Sequence, residues 1–440
     1  MSKSFVLTKE QVKNNISVVQ SYLNDQNLDG IYISSFDEYI NEYVPMSNCH
    51  RYFLTGFSGS TAEAFVPKQG KARLYVDGRY HEQADLECDL DTIEVVKASS
   101  QKGVFNTFFE DLDSLNLSNV AIEGQRTSVD FYKKFNERFE LTVLGESTFE
   151  KIYKVKNIDK LAPIKRIDDH LSGASVSEKL SKLIQSEDEA YFVNAIDSLA
   201  WLTNCRGYHL PFLSSFLGKG VAVKDKVFVF INEGVEVDCD DPCVEFVTLS
   251  EGVLEKALKR IADYYKLTKL YIDESMLNAA DYLMINNIIG KERVINNPNG
   301  IVDLQAIKNA GEIEAIKASF NKSDKAIYNT LCWVKKMVEA NEKVSEKDLY
   351  EKTSEMYKEQ GAVTQSFNTI AGVDANGSII HYSDPKDDVL ITDKSMVLLD
   401  SGGYFEGGFA TDTTRTFMGA FSEGSKKQKR IYTYTLKGIL

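Results

Sequence analysis

The chain has 440 residues, 43% hydrophobic and 26% charged, which excludes a disordered tract or one small core and implies two or three well-packed domains. A formal charge of −14 excludes a nucleic-acid surface, which needs a clustered basic face, and favours a small or peptide ligand. No apolar run reaches membrane-spanning length and the opening MSKSF holds no apolar signal segment, so the six cysteines read as reduced cytosolic thiols.

Thr8 and Gln11 have capping-box spacing, and Val12, Ile16, Val19 and Leu23 continue at helical intervals, which predicts a first helix. Gly30-Ile-Tyr-Ile-Ser34 follows as a short strand, and AFVPKQGKARLYVDGRY as a hairpin turning at Lys68-Gln69-Gly70. The same order returns after residue 170: a helix over 175–185, a strand over 190–193 and a hairpin from Gly220. Phe53-Leu-Thr55 before Gly56 is echoed by Trp201-Leu-Thr203 before Arg206-Gly207, so two divergent copies of one α/β unit are expected. Cys239 and Cys243 flank an Asp-Asp-Pro turn, but without a second pair or an adjacent histidine they do not make a zinc knuckle.

Polar stretches at 153–173 and Asn296-Asn-Pro-Asn-Gly300 mark boundaries, giving domains at 1–155, 156–301 and 302–440. In the third, Ile313, Ile316, Phe320, Ile327, Leu331, Val334 and Val338 fit one long amphipathic helix, and strand-like runs dominate from Ser366. Lys426, Lys427, Lys429 and Arg430 read as a solvated helix face. IYTYTLKGIL keeps a helical pattern up to Leu440, so the expectation is a chain cut inside a helix.

Chemistry concentrates in LLDSGGYFEGGFATDTTRTF. Asp400 ends one apolar run and Asp412 precedes another, with Gly402, Gly403, Gly407 and Gly408 between them, so both carboxylates can project from one end of a hairpin. Such hard oxygen donors suit Mn or Mg, and one bridging carboxylate can hold two cations about 3.5 to 4 Å apart. His381, after Ile379-Ile380, is expected to end a strand facing the same cleft. Asp374, Asp384, Asp387, Asp388 and Asp393 lie among turn formers and read as loop acids, while His50, His81, His170 and His209 share no ligand spacing.

The segments SFNTIAGVDANGSIIHY, LLDSGGYFEGGFATDTTRTF and YTYTLKGIL resemble, in order, the catalytic domain of the Xaa-Pro aminopeptidases (aminopeptidase P) of the pita-bread metallopeptidase superfamily. RYFLTGFSGSTAEAFV, LYVDGRY, IDSLAWLTNCRG and AIKNAGEIEAIK resemble the two creatinase-like N-terminal domains and the start of that catalytic domain. The likeness covers nearly the whole chain. It implies an α/β fold with two creatinase-like domains before an incomplete pita-bread domain. The implied activity is hydrolysis of the bond between an N-terminal residue and a following proline.

The same resemblance implies that Asp400 and Asp412 are two of five ligands to two divalent metal ions, Mn by expectation. His381 would contact substrate and steady the tetrahedral intermediate, and Arg79, in Asp77-Gly-Arg-Tyr80, would contact the bound peptide. It further implies a cytoplasmic homodimer acting on peptides with proline in second position, without nucleic-acid or membrane partners. Asp400 and Asp412 stand one residue further apart than the family pattern, so an extra residue must loop out within 403–410. The later histidine and two glutamate ligands have no counterparts here, so the 440-residue chain is expected to be inactive. The alternatives are a non-catalytic pita-bread binding or scaffold protein, a prolidase-like dipeptidase and a creatinase-like amidinohydrolase.

Overall fold

The helix Lys9–Asp25 opens on the expected capping box between Thr8 and Gln11 and buries Val12, Ile16, Val19 and Leu23. It covers a six-stranded sheet in a computed structural model that describes residues 6–153 and 161–440. The MSKSF start and residues 154–160 of the first boundary stretch lie outside the described residues. Contacts divide the chain into one unit of residues 1–211 and 215–308 and another of residues 212–214 and 309–440.

The first unit contains the repeat expected from the sequence. One sheet runs Ile93–Lys97, Ala72–Val76, Glu63–Pro67, Gly30–Ile33, Asn119–Glu123, Glu140–Leu144. The other runs Val244–Thr248, Val227–Ile231, Lys219–Ala222, Glu189–Val193, Lys269–Ile272, Val294–Asn296. In chain order the two sheets have identical topology and identical strand directions. In each, the first, second and third strands pair antiparallel and the outer strands add parallel. The FLT and WLT echoes fall at the ends of the matching helices His50–Thr55 and Ile196–Leu202.

The copies meet at matching places. Ser128 and Asn278 cap the helices Val129–Arg138 and Ala279–Ile289, and the segments before them pair as an antiparallel bridge. The Val129 amide donates to Leu277 O at 2.9 Å and the Ala279 amide to Thr127 O at 2.8 Å, each bond the counterpart of the other. The second copy also carries a small sheet in the order Val237–Asp238, Ile164–Arg166, Cys205–Arg206.

In the second unit the helix Ala310–Glu339 spans 30 residues, as its apolar periodicity predicts. Its buried line, however, runs through Ala315, Ser319, Ser323, Ala326, Ile327, Thr330 and Val334, while Ile313 is exposed. Small residues let the helix Glu346–Glu359 approach closely, and the Ser323 and Tyr357 hydroxyls meet there at 2.8 Å. This second helix is absent from the sequence-based expectations, although Ser345 and Asp348 form its capping box. The pair covers an antiparallel sheet ordered Ile370–Val373, Met396–Ser401, Thr413–Met418. The basic run lies on the helix Lys426–Ile439, which buries none of its residues. Among the described residues no helix is long and apolar enough to cross a membrane.

Candidate metal centre

Along Met396–Ser401 burial alternates strictly: Val397, Leu399 and Ser401 face the core, and Asp400 lies on the opposite face with Met396 and Leu398. Asp400 registers with Thr414 of the neighbouring strand, whose hydroxyl donates to Asp400 Oδ1 at 2.7 Å. Asp412 sits just before that strand, two residues from Thr414 and so diagonal to Asp400 on the same face. The two carboxylates are in electrostatic contact. Partial burial first, then the like charge of Asp400 and a hydrogen bond shared with it, raise the Asp412 carboxyl above its ordinary range.

The chain between them is pinned. A Cβ on Gly402 would come within 1.9 Å of Thr411 O, so only glycine lets the two segments pass this closely. The Thr411 hydroxyl bonds the backbone of Gly403, and Ser366 Oγ donates to Thr411 O at 2.6 Å. Beyond the Tyr404–Ala410 bridge the loop bulges at Glu406–Gly408, where Gly407 and Gly408 take positive φ. The bulge lies within the 403–410 span in which an extra residue was expected.

One expectation needs correction. His381 does not end a strand: it is half-buried in a turn after the 3-10 segment Asn376–Ser378, and Ile380 before it points to solvent. The apolar pair reads as strand, but the Tyr382 amide bonds back to Ile379 O and closes a turn. The hydroxyl beside the carboxylates orients Asp400, because strand register puts Thr414 opposite it.

The His381 turn is held by a residue the sequence reading missed. Glu346 is fully buried and accepts hydrogen bonds from the amides of Val373 at 2.8 Å and Lys386 at 3.1 Å, and from Asn376 Nδ2 at 3.0 Å. It also accepts the Tyr382 hydroxyl at 2.6 Å, next in sequence to His381. Burial and this bond to a carboxylate raise the Tyr382 hydroxyl above its usual range.

Arg79 lies in the first unit, in a turn closed from Tyr80 N to Asp77 O. Its guanidinium binds Asp77 through Nε at 3.0 Å and a terminal nitrogen at 2.8 Å and lies over the Tyr80 ring. That bidentate contact with Asp77 holds Arg79 cationic.

As a donor set, Asp400 and Asp412 fit a divalent cation: two oxygen-rich anionic groups meet on one face, and a cation relieves their mutual repulsion. Among the described residues no His, Cys, Asp or Glu completes a group of three, His381 included. Of the residues singled out in the sequence, the structure brings together the two aspartates.

Residues 314–440 match a family model described as metallopeptidase family M24, and residues 16–152 and 156–312 match two models of creatinase/prolidase N-terminal domains. Xaa-Pro aminopeptidase 1 of Dictyostelium discoideum is 25% identical over 98% of this chain and 70% of its own length. A probable Xaa-Pro aminopeptidase P of Coprinopsis cinerea is 27% identical over 96% of this chain and 71% of its own length. The crystal structure of X-prolyl aminopeptidase from Caenorhabditis elegans, described as a cytosolic enzyme with a di-nuclear active site, superposes with a TM-score of 0.83. That match covers 96% of this chain and 71% of that one at 21% identity, which establishes a shared fold.

Proposed function

Because the chain belongs to metallopeptidase family M24, behind two creatinase/prolidase N-terminal domains, we propose that it serves hydrolysis of the bond between an N-terminal residue and a following proline. The observation that carries this reading is the placement of Asp400 and Asp412 on one face of an antiparallel strand pair, with Thr414 orienting the first. Two divalent cations, manganese in this proposal, when bound supply Lewis acidity and a nucleophile at neutral pH.

The chain's own residues have separate tasks. Asp400 and Asp412 would hold the cations, and the Thr414 hydroxyl fixes one carboxylate oxygen of Asp400. His381 hydrogen-bonds the substrate and stabilises charge developing on the scissile carbonyl oxygen. Glu346 keeps the His381 turn in place through Tyr382 and Asn376. Arg79, kept cationic by Asp77, anchors the peptide. The domains in this reading are 1–155, 156–301 and 302–440, and the protein acts as a cytoplasmic homodimer.

Among the described residues no third His, Cys, Asp or Glu joins the two carboxylates, and in this proposal so sparse a metal site supports little or no turnover. The chain spans 70% of the length of its Dictyostelium discoideum relative, so the test of the function joins residues 1–440 to the remaining part of that relative and compares peptides that differ only at the second position. Release of the N-terminal residue at equal rates with and without proline there would overturn it.

A further inference from the structure

Outside the metal centre, two thiols are brought into contact by the small sheet of the second creatinase-like copy. Cys205 lies in the strand Cys205–Arg206, in register with Arg166 of the central strand. Cys239 directly follows the strand Val237–Asp238 on the opposite edge. Arg166 Nε donates to Asp241, two residues beyond Cys239, and Cys205 Sγ and Cys239 Sγ lie 3.5 Å apart.

Their surroundings differ. Cys205 is fully buried, with two acceptors within reach of its one thiol proton, Thr203 O at 3.3 Å and Cys239 Sγ at 3.5 Å, while Cys239 is partly exposed and near solvent-facing residues 236–238 and 240. The Cys205 thiol keeps its proton because the hydrogen bond to Cys239 and burial both favour the neutral form. The Cys239 thiol is lowered, first by accepting that bond and then by the Asp241 amide, with burial opposing. One sulfur is reachable and disposed to the thiolate; the other is sheltered behind it.

We propose that Cys205 and Cys239 form a peroxide-sensitive pair in which Cys239 is the attacking sulfur and Cys205 the resolving one, closing a reversible intramolecular disulfide. The oxidant is a hydroperoxide. The Cys239 thiolate attacks the terminal oxygen, the O–O bond breaks, and the alkoxide or hydroxide leaves and takes up a proton, leaving Cys239 as a sulfenic acid. Cys205 sulfur then attacks the Cys239 sulfur, the S–O bond breaks, and water leaves with the Cys205 proton. In sum two thiols and one hydroperoxide give one disulfide, one alcohol or water, and one water, with two electrons passing from sulfur to the O–O bond. Reaching disulfide length requires the sulfurs to close by about 1.5 Å. The two-residue strand Val237–Asp238 and the turn after it can accommodate that motion at the sheet edge. Free thiols restore the pair by exchange.

Cys243 lies four positions on, with a thiol raised by burial, and Cys332 is exposed in the other unit. They act as internal controls. The purified 440-residue protein, treated with hydrogen peroxide, is expected to lose about 2 Da per chain by intact mass, and after alkylation its peptide map should contain a Cys205–Cys239 link that dithiothreitol removes. Cys239→Ser should abolish that mass loss. Cys205→Ser should leave a sulfenic acid on Cys239 that dimedone captures. The mapping on the unsubstituted protein decides the matter even if the buried Cys205 variant does not fold. A link that joins Cys239 to Cys243, or Cys239 oxidised to sulfinic acid beside an unmodified Cys205, would overturn the proposal.

Discussion

The Glu346 carboxylate and the Tyr382 hydroxyl, 36 residues apart in the chain, meet at 2.6 Å and tie the start of the helix Glu346–Glu359 to the turn that carries His381. Removing the hydroxyl leaves Glu346 with its two amide donors and Asn376. Tyr382→Phe is therefore expected to destabilise the second unit by about 1–2 kcal/mol, and Glu346→Gln by more, since an amide replaces one of the two accepting oxygens with a donor. Hydrogen exchange at the Val373 and Lys386 amides should quicken in both variants. Unchanged protection would show that the turn does not depend on this carboxylate.

Manganese binding should follow the aspartates and not the histidine. Asp412→Ala is expected to abolish what affinity the chain has, and His381→Ala to leave it nearly unchanged, with the fold intact in both. The raised Asp412 carboxyl must lose its proton to act as a ligand, so affinity should rise with pH through its titration. The loss of the free Mn signal in electron paramagnetic resonance reads both effects. Metal retained by the Asp412 variant and lost by the His381 variant would reverse the assignment.

The activity of the 440-residue polypeptide on a peptide beginning Xaa-Pro, with excess Mn, is expected to stay well below the roughly 1 per second at which ordinary enzymes begin. Two carboxylates are gathered on the sheet face, and no third His, Cys, Asp or Glu joins them among the described residues. Turnover at or above that rate would show that other residues complete the site.

Glu63 should give the first unit a measurable pH dependence. Burial pushes its carboxyl up to about 7, against the opposing hydrogen bond from Tyr32 at 2.5 Å and the charge of Arg51. The folded chain therefore keeps a proton that the unfolded chain releases from about pH 4.5 upward. Stability is fully present below that pH and falls as pH rises to about 7, by on the order of 3 kcal/mol. Glu63→Gln, which stays neutral and still accepts the Tyr32 hydroxyl, should flatten this slope. Thermal unfolding of both proteins between these pH values checks it; parallel curves would mean that Glu63 does not titrate there.

Much of the first unit was legible because its signals are local: the Thr8–Gln11 cap, the Lys68-Gln-Gly70 turn and the repeated FLT and WLT segments each depend on neighbours in sequence. The aspartate pair was legible for the same reason, since a hairpin brings near residues together. The small-residue face of Ala310–Glu339 was not, because periodicity records apolar positions and cannot show which of them a second helix will cover. Glu346 was invisible as a functional support: its partners lie 27 to 40 positions away, and only folding makes a buried carboxylate of what reads as a helix-start acid.

The exchange of bonds between Val129 and Leu277, and between Ala279 and Thr127, has the geometry of a two-fold dimer contact, although both partners belong to one polypeptide. Separate chains would have to find each other at their own concentration. Linked copies meet at an effective concentration on the order of millimolar, so a few backbone bonds and the Lys133–Glu274 ion pair can hold together what two free subunits would need a much larger apolar face to join. Cleavage of the polypeptide near residues 154–160 should accordingly turn a joint that is indifferent to dilution into one that dilution pulls apart.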